Sequence, residues 1–241
     1  MKWLIASDIH GSEFYCSRLI EACEREKADR MLLLGDLLYH GPRNDLPEGY
    51  APKKVIELLN AHKNEIFCIR GNCEAEVDQM VLEFPIMADY AVIPLGSRAI
   101  YATHGHIYNK DKLPPLKTGD ILLYGHTHIP MCETVSPVQG THDNIGIAPA
   151  ACSEGTNPGI GSGTDTESGI ICMNPGSVSI PKAGSQHSYM TLETEDAALY
   201  SRQTEKTGEK EQEQTAESGK ILFSWKTLDG EVYRTYQLGL R

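Results

Sequence analysis

Residues 2–11 read Lys2-Trp3-Leu4-Ile5-Ala6-Ser7-Asp8-Ile9-His10-Gly11, an apolar run that ends in a carboxylate and an imidazole one residue apart. The run through Ser7 predicts a buried strand. With the backbone still extended, residues two apart project to the same side, so Asp8 and His10 converge on one point. Gly11 then lets the chain turn away. The rhythm continues downstream. Glu13 to Glu26 predicts a helix, Met31 to Gly35 a strand, Lys53 to His62 a helix and Ile66 to Arg70 a strand. Short apolar runs alternating with helical patterns are what βαβ units around a buried sheet produce. In the first helix Leu19, Ile20 and Cys23 form the apolar stripe, while Glu21, Glu24 and Arg25 face water.

Past Tyr90 the predicted strands come in quick succession: Tyr90 to Pro94, Arg98 to Thr103, Ile121 to Gly125, Ile170 to Met173 and Tyr189 to Leu192. Ile221 to Trp225 and Val232 to Leu238 follow, joined across Asp229-Gly230, a hairpin turn signal. The expectation is an α/β protein with strands sandwiched between helices, one domain over residues 1–241. Two segments are expected to be disordered insertions. Residues 136–168 are dense in Gly, Pro, Ser, Thr and Asn, and residues 203–220 are nearly all Glu, Lys, Gln, Thr and Gly. Neither composition buries enough apolar surface to order itself.

Composition narrows the function. Hydrophobic residues make up 40% and charged ones 23% of the 241 residues, as in an ordinary globular protein. No apolar stretch is long enough to cross a bilayer and no signal-peptide pattern precedes Asp8, so a cytoplasmic location is expected. The seven cysteines form no CxxC pair, and their odd number speaks for reduced thiols. A formal charge of −11 argues against an extended nucleic-acid surface, since that binding rests on phosphate contacts.

Chemistry concentrates at five predicted strand ends: Asp8-x-His10, Gly35-Asp36, Gly71-Asn72-Cys73, His104-Gly105-His106 and Gly125-His126-Thr127-His128. Taken singly, a GD pair is usually a turn and a lone histidine usually a satisfied core residue. Their ordered conjunction has no such plain account. A mixed Asp, His and Asn set of this size exceeds what one metal needs, whereas two cations sharing a bridging carboxylate, with hydroxide between them clamping a phosphoryl group, would use it. Two divalent ions bring four positive charges against two from the aspartates, leaving a locally cationic site that draws phosphate into an acidic protein. The run Gly155 to Gly163 lacks the Lys-Ser/Thr and helix of a phosphate loop, and no G-x-S-x-G elbow exists.

The series D-x-H, GD, GN-C, GH and GHTH resembles the calcineurin-like metallophosphoesterase superfamily. Leu37 to Asn44 (L-L-Y-H-G-P-R-N) and Asn174 to Pro181 (N-P-G-S-V-S-I-P) are similar to its bacterial YfcE-type phosphodiesterase branch. The resemblance spans about residues 1–192. It implies an αββα four-layer sandwich, a first metal on Asp8, His10, Asp36 and His128, and a second on Asp36, Asn72, His104 and His126. It also implies manganese, with zinc, iron or nickel as other candidates, a small phosphodiester substrate and a homo-oligomer.

The chain departs from the superfamily pattern in two places. Gly35-Asp36 is followed by Leu37, Leu38 and Tyr39 where many members have GDxxD, and Cys73 stands where many have a proton-donating histidine. No catalytic group beyond the metal ligands is therefore assigned. His40 and His106 are candidate substitutes or buttressing histidines, and Arg43 is a candidate planar fork for substrate phosphate. Cys73 is a candidate beside the metals, whose charge would favour its thiolate. Two alternatives stay open: a phosphomonoesterase or nucleotide pyrophosphatase of the same superfamily, and a non-catalytic metal-binding interaction module.

Overall fold

The computed structural model describes residues 1–136, 169–194 and 219–239. In chain order the elements are β1 (Lys2–Ala6), α1 (Glu13–Glu26), β2 (Arg30–Leu33), α2 (Pro52–Ala61), β3 (Ile66–Cys68), α3 (Glu76–Gln79), β4 (Tyr90–Leu95) and β5 (Arg98–Thr103). β6 (Ile121–Leu123), β7 (Met131–Val135), β8 (Ile170–Asn174), β9 (Ser188–Thr194), β10 (Lys220–Thr227) and β11 (Val232–Gly239) complete them. The strands form a six-stranded sheet in the order β11-β10-β9-β1-β2-β3 and a five-stranded sheet in the order β4-β5-β6-β8-β7.

The period of two along each strand assigns its side chains to two different cores. In β1, Leu4 and Ala6 pack with Leu19 of α1 and Leu59 of α2, whereas Ile5 between them faces the other sheet with Ile100, Ile121 and Met173. β2 repeats this through Met31 and Leu33 on the helix side and Leu32 on the sheet side. Strands buried on both faces read as continuous apolar runs, which is why these were visible in the sequence. In the second sheet Tyr101, Leu122 and Cys172 point outward and are covered by Tyr108, Leu113 and Leu116 from an irregular segment. Among the described residues the layers are thus helix, sheet, sheet and a covering loop.

Ends and edges differ from the sequence expectations. β7 was not anticipated, being a short edge strand of mixed character that pairs antiparallel with β8 and packs Cys132 toward the inter-sheet core. α3 has four residues, too few for a periodic signal. Lys220, expected inside an insertion, opens β10 opposite Gly239. The rest of the expected insertions, 137–168 and 203–218, lies outside the described residues.

The strands aim their carboxyl ends at one place. After β1 the chain makes a turn whose Ser12 side chain accepts a hydrogen bond from the Tyr15 amide at 3.2 Å, capping α1 immediately after the Asp8–Gly11 segment. β1 and β2 run parallel, as do β5, β6 and β8, so the loops after β1, β2, β5 and β6 emerge at the same edge of the sandwich.

Candidate metal centre

Those loops bring six carboxylate and imidazole groups together. Asp8 Oδ1 lies 3.3 Å from His128 Nε2 and 3.7 Å from His10 Nε2, and the two nitrogens are 3.3 Å apart. Asp36 Oδ2 lies 3.7 Å from His10 Nε2 and 3.4 Å from His104 Nε2, so one carboxylate oxygen stands between two histidine groups. On the far side His104 Nε2 is 3.2 Å from His126 Nδ1 and 3.1 Å from Asn72 Oδ1. The seven residues singled out in the sequence therefore form two adjoining clusters that meet at Asp36.

The backbone that delivers them is strained. Among the described residues seven non-glycine positions have positive φ, and five are Asp8, His10, Asp36, His126 and His128, at 49–64°. Each such placement costs of order 1–3 kcal/mol and concentrates where function needs a fixed direction. Asp8 and His10 do not converge by strand alternation as expected, because β1 ends at Ala6 and both residues adopt left-handed turns. Gly35 and Gly71 meet so closely that a Cβ on Gly35 would sit 2.4 Å from the Gly71 amide nitrogen.

Outer contacts fix the rings. His10 Nδ1 is 2.7 Å from the Tyr39 carbonyl, His104 Nδ1 2.7 Å from the Leu34 carbonyl and His128 Nδ1 2.6 Å from the Ile180 carbonyl. A carbonyl only accepts, so each Nδ1 carries its proton and donates, and each Nε2 turns inward as the free nitrogen. His10 Nε2 and His128 Nε2 then face each other as lone pairs unless one takes up a proton or both share a cation. Two imidazole nitrogens that share one divalent cation stand about 3 Å apart, close to the separation found here. Asp8 Oδ1 is buried and has no hydrogen-bond partner. The donor set fits divalent metal ions.

Titration behaviour agrees. Burial opposes the Asp8 carboxylate, yet contacts with His10 and His128 hold it well below its usual value. Burial opposes a charged His104, but its contact with Asp36 outweighs this and holds it up at about 9. His10 is likewise raised, by Asp8 against burial, whereas burial and the charge of His104 push His126 down to about 4. The same carboxylates that favour positive charge on His10 and His104 would favour the charge of a metal ion between them.

Several supporting residues carry no motif of their own. Glu74 accepts hydrogen bonds from the Leu37 amide at 2.7 Å, the Asp36 amide at 2.9 Å and the Gly71 amide, tying the turn after β2 to the turn after β3. The Cys73 amide donates to Asp36 Oδ1 at 2.9 Å, leaving Oδ2 for the centre. The Asn174–Pro181 segment serves as a buttress: Ser177 and Ser179 hydroxyls donate to the Asp8 carbonyl at 2.9 and 3.0 Å, and Asn174 Nδ2 donates to the Gly125 carbonyl at 2.7 Å.

A cleft of about 470 Å³ opens over the centre, lined among others by Arg43, Asn72, Cys73 and Lys182. Arg43 and Cys73 thus stand where the sequence reading put them, and Lys182 was missed. His40 and His106 do not line it. His40 packs edge-on between Tyr39 and Tyr50, and His106 sits beside the His104 and His126 rings at 5.4 and 6.2 Å. On the chain alone, burial and then the Asp36 charge push the Cys73 thiol upward, which a metal ion beside it would oppose.

Residues 1–197 match the family model of the calcineurin-like phosphoesterase superfamily domain. The chain belongs to the calcineurin-like phosphoesterase superfamily. Within it, the chain is 40% identical over 195 residues to the phosphodiesterase YfcE of Escherichia coli K12, covering 81% of this chain and 89% of that protein. A solved structure of the E. coli YfcE phosphoesterase superimposes over 100% of both chains, with a TM-score of 0.69 and 33% identity. Vps29 of Chaetomium thermophilum shares the fold alone, at 12% identity and a TM-score of 0.50 over 100% of this chain and 99% of that one. Membership of this metallophosphoesterase family implies divalent metal ions and a small phosphate-ester substrate. No helix among the described residues is long and apolar enough to cross a membrane.

Proposed function

We propose that the protein is a dinuclear metal-dependent phosphodiesterase that converts a small phosphodiester and water to a phosphomonoester and an alcohol. Asp8, His10, Asp36 and His128 would hold one ion, and Asp36, Asn72, His104 and His126 the other. Manganese is the proposed metal, the cytoplasm the proposed location and a homo-oligomer the proposed assembly. The phosphodiester assignment leans on the likeness to YfcE, and the six described cysteines, all free, suit a reducing compartment.

One observation carries the reading: His10 Nε2 and His128 Nε2 lie 3.3 Å apart while both Nδ1 atoms are committed to carbonyls. Two bound divalent ions would supply Lewis acidity, water activation and a clamp on the phosphoryl oxygens. The chain's own part is positioning. Tyr39, Leu34 and Ile180 carbonyls orient the imidazoles, the Cys73 amide orients Asp36, and Glu74 locks the two turns that carry Asp36 and Asn72. Such prior orientation keeps reorganisation out of the barrier.

The complete, strained ligand set speaks for bound metal, which the metal-binding interaction module would share, so turnover separates the two readings. The test is turnover of bis(4-nitrophenyl) phosphate and 4-nitrophenyl phosphate by manganese-loaded protein. A higher kcat/KM for the diester is expected. Preference for the monoester would replace the reading with a phosphomonoesterase, and no turnover of either would return it to a binding module.

A further inference from the structure

The cleft mouth carries two cations that the metal reading does not use. Arg43 and Lys182 both line it, and both are exposed in a protein of formal charge −11. Among the described residues neither side chain has an ion pair or hydrogen bond, whereas Lys2, Arg18, Lys63, Arg70, Lys110 and Lys226 are all paired with carboxylates. An unpaired cation is ordinary on an open surface. Two of them facing one concavity are not an average outcome of an acidic composition.

Their placement follows from the loops that hold the first candidate metal position. The loop after β2 gives its Tyr39 carbonyl to His10 Nδ1, then forms a turn over residues 41–44, in which the Asn44 amide donates to the Gly41 carbonyl and Asn44 Nδ2 to the His40 carbonyl. Arg43 lies in that turn. The loop after β8 gives its Ile180 carbonyl to His128 Nδ1, and two residues later the Lys182 amide donates to the His128 carbonyl at 3.2 Å. Ser185 closes this second turn on the Lys182 carbonyl through both its amide and its hydroxyl. The two cations are therefore mounted on the two loops that clamp the facing histidines, beyond the centre.

We propose that Arg43 and Lys182 form a second anion subsite, so that the preferred substrate is a phosphodiester with a further phosphate on its retained arm, seated over the Asp8, His10 and His128 position. This deepens the phosphodiesterase reading and rests on it. The scissile phosphate is a monoanion served by the metal centre, which leaves the charge of two side chains unmatched. A phosphate monoester is a dianion, and it suits a planar guanidinium fork and a flexible ammonium lining the same cleft. A cleft of about 470 Å³ lies in the range that holds drug-sized ligands.

The test compares the 4-nitrophenyl ester of thymidine 5′-phosphate with the same diester phosphorylated on its 3′ hydroxyl. The two share a leaving group, so the ratio of their kcat/KM values reports only the retained arm. With manganese-loaded protein the phosphorylated diester should be preferred about tenfold or more, the size of a charge-assisted contact. Arg43→Gln and Lys182→Gln should each shrink the ratio severalfold and the pair abolish it. Calorimetric binding of thymidine 3′,5′-bisphosphate over thymidine 5′-phosphate to the loaded protein should show the same preference and the same loss. Equal use of both diesters by the wild type overturns the subsite while the diesterase reading stands. A ratio unchanged in the variants while both rates fall assigns the cations to the scissile phosphate and also overturns it. Failure to hydrolyse either diester with two metals bound contradicts the diesterase reading itself.

Discussion

β1 has a charge cluster at each end, half-buried at its start and buried beyond its other end, and the two differ in whether they are complete. At its start Lys2 meets Glu26, which also accepts from Lys226 Nζ at 2.8 Å and from the Tyr189 hydroxyl at 2.8 Å. Every charge there has a partner on the chain. Beyond its other end, Asp8 Oδ1 has no hydrogen-bond donor and meets only imidazole nitrogens at 3.3 and 3.7 Å, three imidazoles turn free nitrogens inward and the backbone is left-handed at five donor positions. Partial or full burial of charge is common to both ends. A cluster the chain itself completes is structural, and one it strains to leave open is a site for an added cation.

The sharpest way to break this contrast is to remove the shared carboxylate. Asp36→Asn should lose both ions and at least about 10³-fold in turnover, since an amide cannot replace charge at two metals. Metal content and kcat measured together check it, and a variant with two ions and normal rates would dissolve the comparison.

The complete cluster should respond in stability instead. Contacts with Lys2, Lys226 and Tyr189 overcome burial and hold the Glu26 carboxyl down at about 2. Because the folded value lies below the unfolded one, this stabilisation is present above pH 4.5 and is lost as pH falls from there toward 2. Screening by solvent at this half-buried position leaves roughly 1–2 kcal/mol of it. Glu26→Gln should lower the unfolding free energy at pH 7 by about that much, flatten the acid limb of the stability curve and leave kcat near wild type. An unchanged acid limb would remove Glu26 from the account.

A smaller effect is expected at Cys73. Its thiol, raised by burial and by Asp36, is a weaker acid than an imidazolium. Cys73→His should speed esters of poor leaving groups about tenfold relative to activated ones. Equal proportional changes on both, with metal content intact, would reject an acid deficit. The smallest effect belongs to residues 136–168. Replacing them by a short Gly-containing turn should leave rate and melting temperature nearly unchanged, because loop closure costs only about 0.6 kcal/mol per doubling of length. A large fall in diesterase rate would make the segment part of the site.

The difference between the two ends also explains what the sequence disclosed. Donor atoms follow apolar strands in a fixed order, so Asp8, His10, Asp36, Asn72, His104, His126 and His128 were legible, as were β1 and β2 with two buried faces. The means of convergence was not, since Asp and His are enriched in left-handed turns yet still adopt them only in a minority of cases. Nor were the carbonyls of Tyr39, Leu34 and Ile180, because a backbone oxygen is common to every residue. Glu74 and Lys182 belong to no motif, and β7 is too short and mixed to show a period.

Anomalous diffraction at the manganese edge on crystals of manganese-loaded protein tests the central claim directly. Two peaks about 3.5–4 Å apart are predicted, with Asp36 between them, Asp8, His10 and His128 around one and Asn72, His104 and His126 around the other. A single peak, or two peaks that leave Asp36 on one side only, would contradict it.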